Sequence, residues 1–308
     1  MHTLVYVKRP AEKNVGFPMN SELILNADGS VYHLGLKPGE LAEDIFFVGD
    51  PARTETVANL FDHIELRRAH REFHTITGAY GGRRLSVIST GIGTDNIDIV
   101  MQEADALFNI DLSTRQAKET LTPLRILRLG TCGGIQPDMH PGTLVLSAYA
   151  VGGDALMQYY HARPDLFRET LEFALRDYLE DNDIRASMYG VVCQGRFASA
   201  PAKIRTGGTF TAAGFYGPQG RAAGRIGLRY PDLPELMSGF FFQDMPILNM
   251  EMETSGILAL GQALGHEAGS LSVVLANRRT RTFAQDPAAC VEQLIEAGFE
   301  LMMGGLTS

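Results

Sequence analysis

Short runs rich in β-forming residues alternate with helical repeats along most of the chain. The runs Ile45–Val48, Leu85–Ser89, Arg125–Leu129, Thr143–Tyr149, Tyr189–Gln194 and Leu271–Ala276 predict strands. Between them, Ile97, Val100, Met101, Ala104, Leu107 and Phe108 recur at three and four residues, which predicts a helix over Thr94–Asn109. Further helices are expected over Pro164–Asp181, Thr254–Leu264 and Pro287–Met303; in the last, Val291, Leu294, Ile295 and Leu301 mark the buried stripe. This alternation implies an α/β fold, a mixed or parallel sheet covered on its faces. Residues 1–44 are weakly periodic, and 1–30 read as an N-terminal arm. Residues 203–229 are rich in glycine and arginine and read as one long loop, and loops of that length in compact domains are usually functional or disordered. No linker divides the chain, so 1–308 is expected to be a single domain.

Composition narrows the chemistry. The apolar share of 45% and charged share of 20% are those of an ordinary globular protein. A net charge of -9 argues against a nucleic-acid surface. No apolar run approaches a membrane span, and residues 1–13 lack the apolar stretch of a secretory signal. Cys132, Cys193 and Cys290 are too scattered for a disulfide framework or a zinc site, so a reducing cytoplasm is expected. Of the 27 basic residues only five are lysines, and the arginine forks suit phosphate or carboxylate oxygens. Genomic base composition explains that bias equally well.

Five motifs carry candidate chemistry, each with a plainer alternative. Phe46-Phe47-Val48-Gly49-Asp50-Pro51-Ala52-Arg53 runs from a strand through a glycine turn into a helix, either an anion cradle or simply a tight turn. Arg128, in Arg128-Leu129-Gly130-Thr131-Cys132-Gly133-Gly134, interrupts a strand that otherwise wants burial. Its partner is a phosphate or an acidic neighbour. Glu251 and Glu253, in Asn249-Met250-Glu251-Met252-Glu253-Thr254, either bind hydroxyls or are acids favoured by a helix start. Gly214-Phe215-Tyr216-Gly217-Pro218-Gln219-Gly220-Arg221 offers an aromatic face, an amide and a donor fork, or is a solvated loop. His70-Arg71-Glu72-Phe73-His74 reads best as a polar surface turn. P-loop, His-Glu-x-x-His and nucleophile-elbow signatures do not occur, and Gly91-Ile92-Gly93 lacks the third glycine of a dinucleotide fingerprint.

In this order and approximate spacing, the segments resemble the nucleoside phosphorylase family, and within it the uridine phosphorylases, from about Val31 to the C-terminal helix. The resemblance implies a three-layer α/β/α sandwich with a twisted mixed central sheet, and a homo-oligomer whose active site is shared between subunits. It implies phosphorolysis of uridine to uracil and ribose 1-phosphate, with phosphate a co-substrate and no organic cofactor. Gly49, Arg53, Arg128 and Thr131 would hold phosphate, with Arg71 reaching the neighbouring subunit's phosphate. Glu253 and Met252, with Thr131 and a neighbour's His33, would bind ribose. Phe215, Gln219, Arg221 and Arg278 would take the uracil.

Asn277-Arg278 stands where the purine branch has Ser-Asp, which favours a pyrimidine. Glu72 and Ile92 fit an interfacial monovalent-cation site for a structural K+, with Asn96 replacing a serine of some relatives. The base loop is longer than the familiar pattern, and Leu112–Pro123 looks inserted. Arg128→Ala is expected to cripple phosphorolysis and leave the fold largely intact. Alternatives from the same residues are a phosphorylase of thymidine, deoxyuridine or a purine nucleoside, and a catalytically silent nucleoside-binding protein.

Overall fold

The computed structural model describes residues 21–161 and 169–304. The first twenty residues of the expected arm and the first turn of the helix predicted from Pro164 lie outside them. Ten longer strands build the fold: β1 (Asp44–Val48), β2 (His63–His70), β3 (Phe73–Tyr80), β4 (Arg83–Ser89), β5 (Arg125–Gly134), β6 (Leu144–Gly152), β7 (Tyr189–Val192), β8 (Arg205–Thr211), β9 (Met245–Glu251) and β10 (Glu267–Asn277). The helices are α1 (Pro51–Ala58), α2 (Thr94–Asn109), α3 (Glu169–Asp181), α4 (Leu233–Ser238), α5 (Thr254–Leu264) and α6 (Pro287–Met303).

One mixed sheet runs in the order β9-β8-β6-β10-β5-β1-β4-β3-β2, with β7 on β6 and short strands at Phe241–Phe242 and Thr282–Phe283. Strands β1, β4, β5 and β10 pair in parallel, as do β6, β8 and β9. β10 against β6 and the β2–β3–β4 meander are antiparallel. Far along the chain, β9 also pairs antiparallel with the end of β5 (Asn249 with Gly134, Met250 with Gly133), so the sheet curls back on itself beside the site.

Side chains alternate across a strand, and β5 shows what that does. Leu129 lies under Gly298 of α6, where an added Cβ would sit 2.4 Å from Leu129 Cδ2. Its neighbour Arg128 reaches Glu253 at the start of α5 on the opposite face. Helices therefore cover both faces of the sheet, the expected α/β sandwich.

Helices α2, α5 and α6 have the predicted bounds, and local chemistry explains their ends. Asp286 accepts from Ala289 N and Pro287 opens α6; Gly304 closes it in the left-handed conformation. The predicted strands were found with shifted bounds: β10 is longer by four residues at its start and one at its end, whereas β7 stops two residues short of the expected Gln194.

Several elements differ from expectation, and β3 and α4 are among those for which no strand or helix was predicted. Strand β2 was not foreseen because its sequence, HIELRRAH, is half-exposed and charged at alternate positions. Within the expected 203–229 loop, Arg205–Thr211 is a buried strand. Its glycines are packing devices: a Cβ at Gly208 would lie 2.3 Å from Tyr149 Cζ, and one at Gly207 2.7 Å from Leu248 Cδ1. The true base loop starts after Thr211 and leads into α4.

Candidate active site

The C-terminal ends of β1, β4, β5, β8 and β9 deliver the motif loops to one region, as parallel α/β sheets generally do. After β1, Asp50 caps α1 by accepting from Ala52 N at 2.9 Å, and Pro51 occupies the first helical position. That places Arg53 in the first turn, where its Nη1 donates to Leu129 O at 3.2 Å. Arg53 forms no ion pair among the described residues. Burial, and then the nearby Arg128 cation, lower its pKa from the ordinary value. Gly49 faces the second glycine turn, its Cβ direction ending 3.5 Å from Gly91 O.

Arg128 is buried, with 6% of its surface exposed. It folds back over Gly130, where a Cβ would collide with Nη1 at 1.9 Å; the glycine two residues on is what admits the guanidinium. Nη1 donates to Ser272 Oγ at 3.0 Å, and Nη2 meets Glu253 Oε2 at 2.6 Å and Glu251 Oε2 at 3.2 Å. Burial pushes the Arg128 pKa down, but Glu251 and Glu253 outweigh it, so the group stays above its ordinary value. The acidic neighbour, one of the two partners considered for this arginine, is therefore present. Thr131 follows, half-buried, in the same strand.

The two carboxylates have different tasks. Glu251 accepts from Thr211 Oγ1 at 2.7 Å and from the backbone N–H groups of Glu253 and Thr254, tying β9, β8 and the start of α5 together. Glu253 accepts from Gly93 N at 2.8 Å, joining the Gly91–Gly93 turn to the cluster. Burial raises the Glu253 pKa; Arg128 opposes and Glu251 adds to the rise, because one guanidinium serves two acids. Met252 lies between them, half-buried. Removing Arg128 would strand both acids in a dry site, so the expectation that Arg128→Ala leaves the fold largely intact is corrected here.

The base-loop residues form a second cluster. Arg221 lies over the half-exposed Phe215 ring at 4.1 Å and donates to Gln219 Oε1 at 3.2 Å. Gln219 is buried, and Gly220 is left-handed. Arg278 clamps this turn by donating to Gln219 O and, at 3.1 Å, to Gly220 O. Burial, then the Arg278 cation, lower the Arg221 pKa, and the Arg221 Nε atom is buried without a hydrogen-bond partner. A cavity of about 890 Å³ opens behind the loop, lined by Phe210, Tyr216, Arg221, Ile226 and Leu228 among others.

The neighbouring Asn277 does no base chemistry. Its Nδ2 donates to Gln136 O and Met139 O, and its Oδ1 accepts from Arg279 N and Thr280 N. The amide is wholly spent on backbone, which removes Asn277 itself from the argument about base preference.

His33 and Arg71 sit apart from both clusters. The motif His70–His74 is the expected polar turn, a hairpin between β2 and β3 with Arg71 at φ 56°. The Arg71 guanidinium lies 4.8 Å over the Tyr32 ring. No hydrogen bond among the described residues ties His33 or Arg71 to Arg128, Thr131 or Glu253; His33 is held instead by Glu103. Glu72 and Asn96 converge on Gly91: a Cβ there would lie 2.4 Å from Asn96 Nδ2 and 3.8 Å from Glu72 Cγ. Ile92 beside them is exposed.

Glu251, Ser272, Gly93 and Glu103 belong to the site's framework but were not chosen as site residues from the sequence. Glu251 was visible as half of a carboxylate pair. The other three had no local signal, since their partners are distant in the chain.

The profile of the phosphorylase superfamily matches residues 44–301. A uridine phosphorylase from Thermococcus kodakarensis is 27% identical over 84% of this chain and 81% of its own length. A purine nucleoside phosphorylase of the DeoD type from Geobacillus kaustophilus is equally similar, 27% identical over 87% of this chain and 96% of its own. The crystal structure of a Trypanosoma brucei nucleoside phosphorylase described as showing uridine phosphorylase activity superposes with a TM-score of 0.77. It is 30% identical and covers 92% of this chain and 99% of its own. This protein belongs to the phosphorylase superfamily, in the nucleoside phosphorylase family of pentosyltransferases.

Proposed function

We propose that this chain is a uridine phosphorylase that converts uridine and inorganic phosphate to uracil and ribose 1-phosphate. The observation that carries the reading is Arg53: a half-buried guanidinium beside a second one, with no ion pair among the described residues, at the meeting of two glycine turns. That arrangement calls for an anion. Phosphate is the anion the family consumes. Gly49, Arg53, Arg128 and Thr131 hold it, with Arg71 contributed by the neighbouring subunit of a homo-oligomer. Glu253 and Met252 hold the ribose, with His33 of the neighbour. Phe215 stacks the base, and Gln219 and Arg221 bond its edge, with Arg278 holding their turn in place.

In this reading a phosphate oxygen attacks C1′ as the C1′–N1 bond breaks, its electron pair leaving on uracil. Positioning converts a bimolecular encounter into a local one. The phosphate charge stabilises the cationic ribose, and the unpaired donors of Arg221 stabilise the uracil anion, which then takes a proton from solvent. No organic cofactor takes part. K+ held by Glu72, Ile92 and Asn96 would be structural, at the subunit contact. The charge balance and cysteine usage support a cytoplasmic setting; among the described residues no helix is long and apolar enough to cross a membrane.

The second reading is a purine nucleoside phosphorylase, favoured by the equal similarity to the DeoD-type relative. The uridine reading rests on the two arginines at the base turn and the lack of an acid there. Uridine, thymidine, deoxyuridine, inosine and adenosine, each supplied with phosphate, separate the two: preference for uridine supports the proposal, and preference for a purine nucleoside replaces it.

A further inference from the structure

Glu103 lies on α2, buried with 7% of its surface exposed, and has no arginine or lysine partner among the described residues. Its oxygens are taken instead by one short turn. Glu103 accepts from His33 N at 2.9 and 3.0 Å and from Leu34 N at 2.8 Å, and its Oε1 lies 2.7 Å from His33 Nδ1. Two backbone bonds would suffice to fix the turn. The third fixes the imidazole. A carboxylate already receiving N–H donors can only accept, so His33 Nδ1 must carry a hydrogen, and Nε2, with no hydrogen-bond partner among the described residues, is left as the ring's acceptor. The ring is further confined by Tyr32, edge-on at 4.9 Å, while His70 Nδ1 holds His33 O at 2.8 Å. Gly35, at φ +63°, lets the turn close against His70, whose Cβ would be 3.2 Å from an added Cβ.

We propose that Glu103 is a positioning residue for the shared active site: it sets the orientation and tautomer of His33 so that Nε2 accepts from a ribose hydroxyl in the neighbouring subunit. This rests on the uridine phosphorylase reading. A carboxylate can accept from two adjacent hydroxyls at once, so in that reading Glu253 takes the vicinal ring pair and the hydroxyl left for His33 is the 5′-hydroxyl.

The test compares uridine with 5′-deoxyuridine at saturating phosphate, using the full chain in its native assembly, its Glu103→Gln and His33→Ala variants and the double variant. Glu103→Gln should lower kcat/KM for uridine roughly tenfold, as loss of a charge-assisted bond does, and change it less than about twofold for 5′-deoxyuridine. In a His33→Ala background it should add nothing. Equal losses on both substrates, or a further loss in the double variant, would show that Glu103 only folds the turn and would overturn the proposal. Should Glu103→Gln fail to fold, 15N-histidine NMR of the unaltered protein still decides: His33 must be the Nδ1–H tautomer, and an Nε2–H tautomer contradicts the proposal. An unaltered chain that does not cleave uridine with phosphate is a different outcome, which removes the underlying reading itself.

Discussion

Arg128 Nη2 and Glu253 Oε2 meet at 2.6 Å in a buried site, so the guanidinium assigned to phosphate holds the carboxylate assigned to ribose. The two subsites are thereby one electrostatic unit. In the proposed reading, phosphate arriving on Arg128 would compete with Glu253 for the same N–H group and free the carboxylate for hydroxyls.

The first prediction concerns that unit. Arg128→Ala should lower kcat/KM for phosphorolysis by at least about a hundredfold, the scale for losing a preorganised charge. It should also cost about 3–5 kcal/mol of stability, because Glu251 and Glu253 remain buried without a cation. Urea denaturation of Arg128→Ala and of Arg128→Ala/Glu253→Gln checks this: the second substitution should return part of the lost stability. A single variant as stable as the parent would contradict the shared-charge description.

The raised pKa of Glu253 gives a pH signature. Relative to the ordinary 4.5, the folded chain holds this proton more tightly than the unfolded chain does. Its contribution to stability is therefore full below the ordinary glutamate range and is lost as pH rises through the folded value. Glu253→Gln lacks that titration. The stability of Glu253→Gln minus that of the parent should rise as pH increases from the ordinary glutamate range upward, measured by denaturation at a series of pH values. A difference that falls over that window would reverse the sign of the shift.

Asn277→Asp should not create a purine phosphorylase: the acid of the purine-branch Ser-Asp pair falls at Arg278, and Asn277 stands at the serine position. Asn277 Nδ2 faces the carbonyls of Gln136 and Met139, so a carboxylate there meets two acceptors. A loss of about 1–3 kcal/mol is expected, the cost of buried polar groups left unpaired. Thermal denaturation and an inosine assay check it; a stable variant that gains inosine cleavage would contradict the geometry.

Arg278 acts on the base through the loop. Arg278→Met removes both bonds to the Gln219–Gly220 turn, and should raise KM for uridine roughly tenfold while leaving KM for phosphate nearly unchanged. Limited proteolysis should cut more readily between residues 212 and 232. Equal changes in both KM values would place Arg278 elsewhere in the mechanism.

Much of this was legible in the chain itself, for physical reasons. Helices α2, α5 and α6 announce themselves by periodicity and by Asp, Pro and Gly at their ends. The strand–glycine–helix junction at Gly49–Arg53 was recognisable because Gly, Asp and Pro are local turn and helix-start signals. Strand β8 was hidden because Gly207 and Gly208 look like a loop until Tyr149 and Leu248 are brought across them. The partners of Arg128 were open for a similar reason: Glu251 and Glu253 lie more than a hundred residues away, and only the folded sheet, where β9 pairs antiparallel with the end of β5, joins them. Asn277 illustrates the opposite hazard, a position that looks chemical by its neighbours in sequence and is structural in space.

The central claim is tested most directly by following uridine consumption and ribose 1-phosphate formation with and without added phosphate. Turnover that requires phosphate, yielding equal amounts of uracil and ribose 1-phosphate, is the predicted result. Cleavage at the same rate without phosphate, releasing free ribose, would contradict the roles assigned to Arg53 and Arg128.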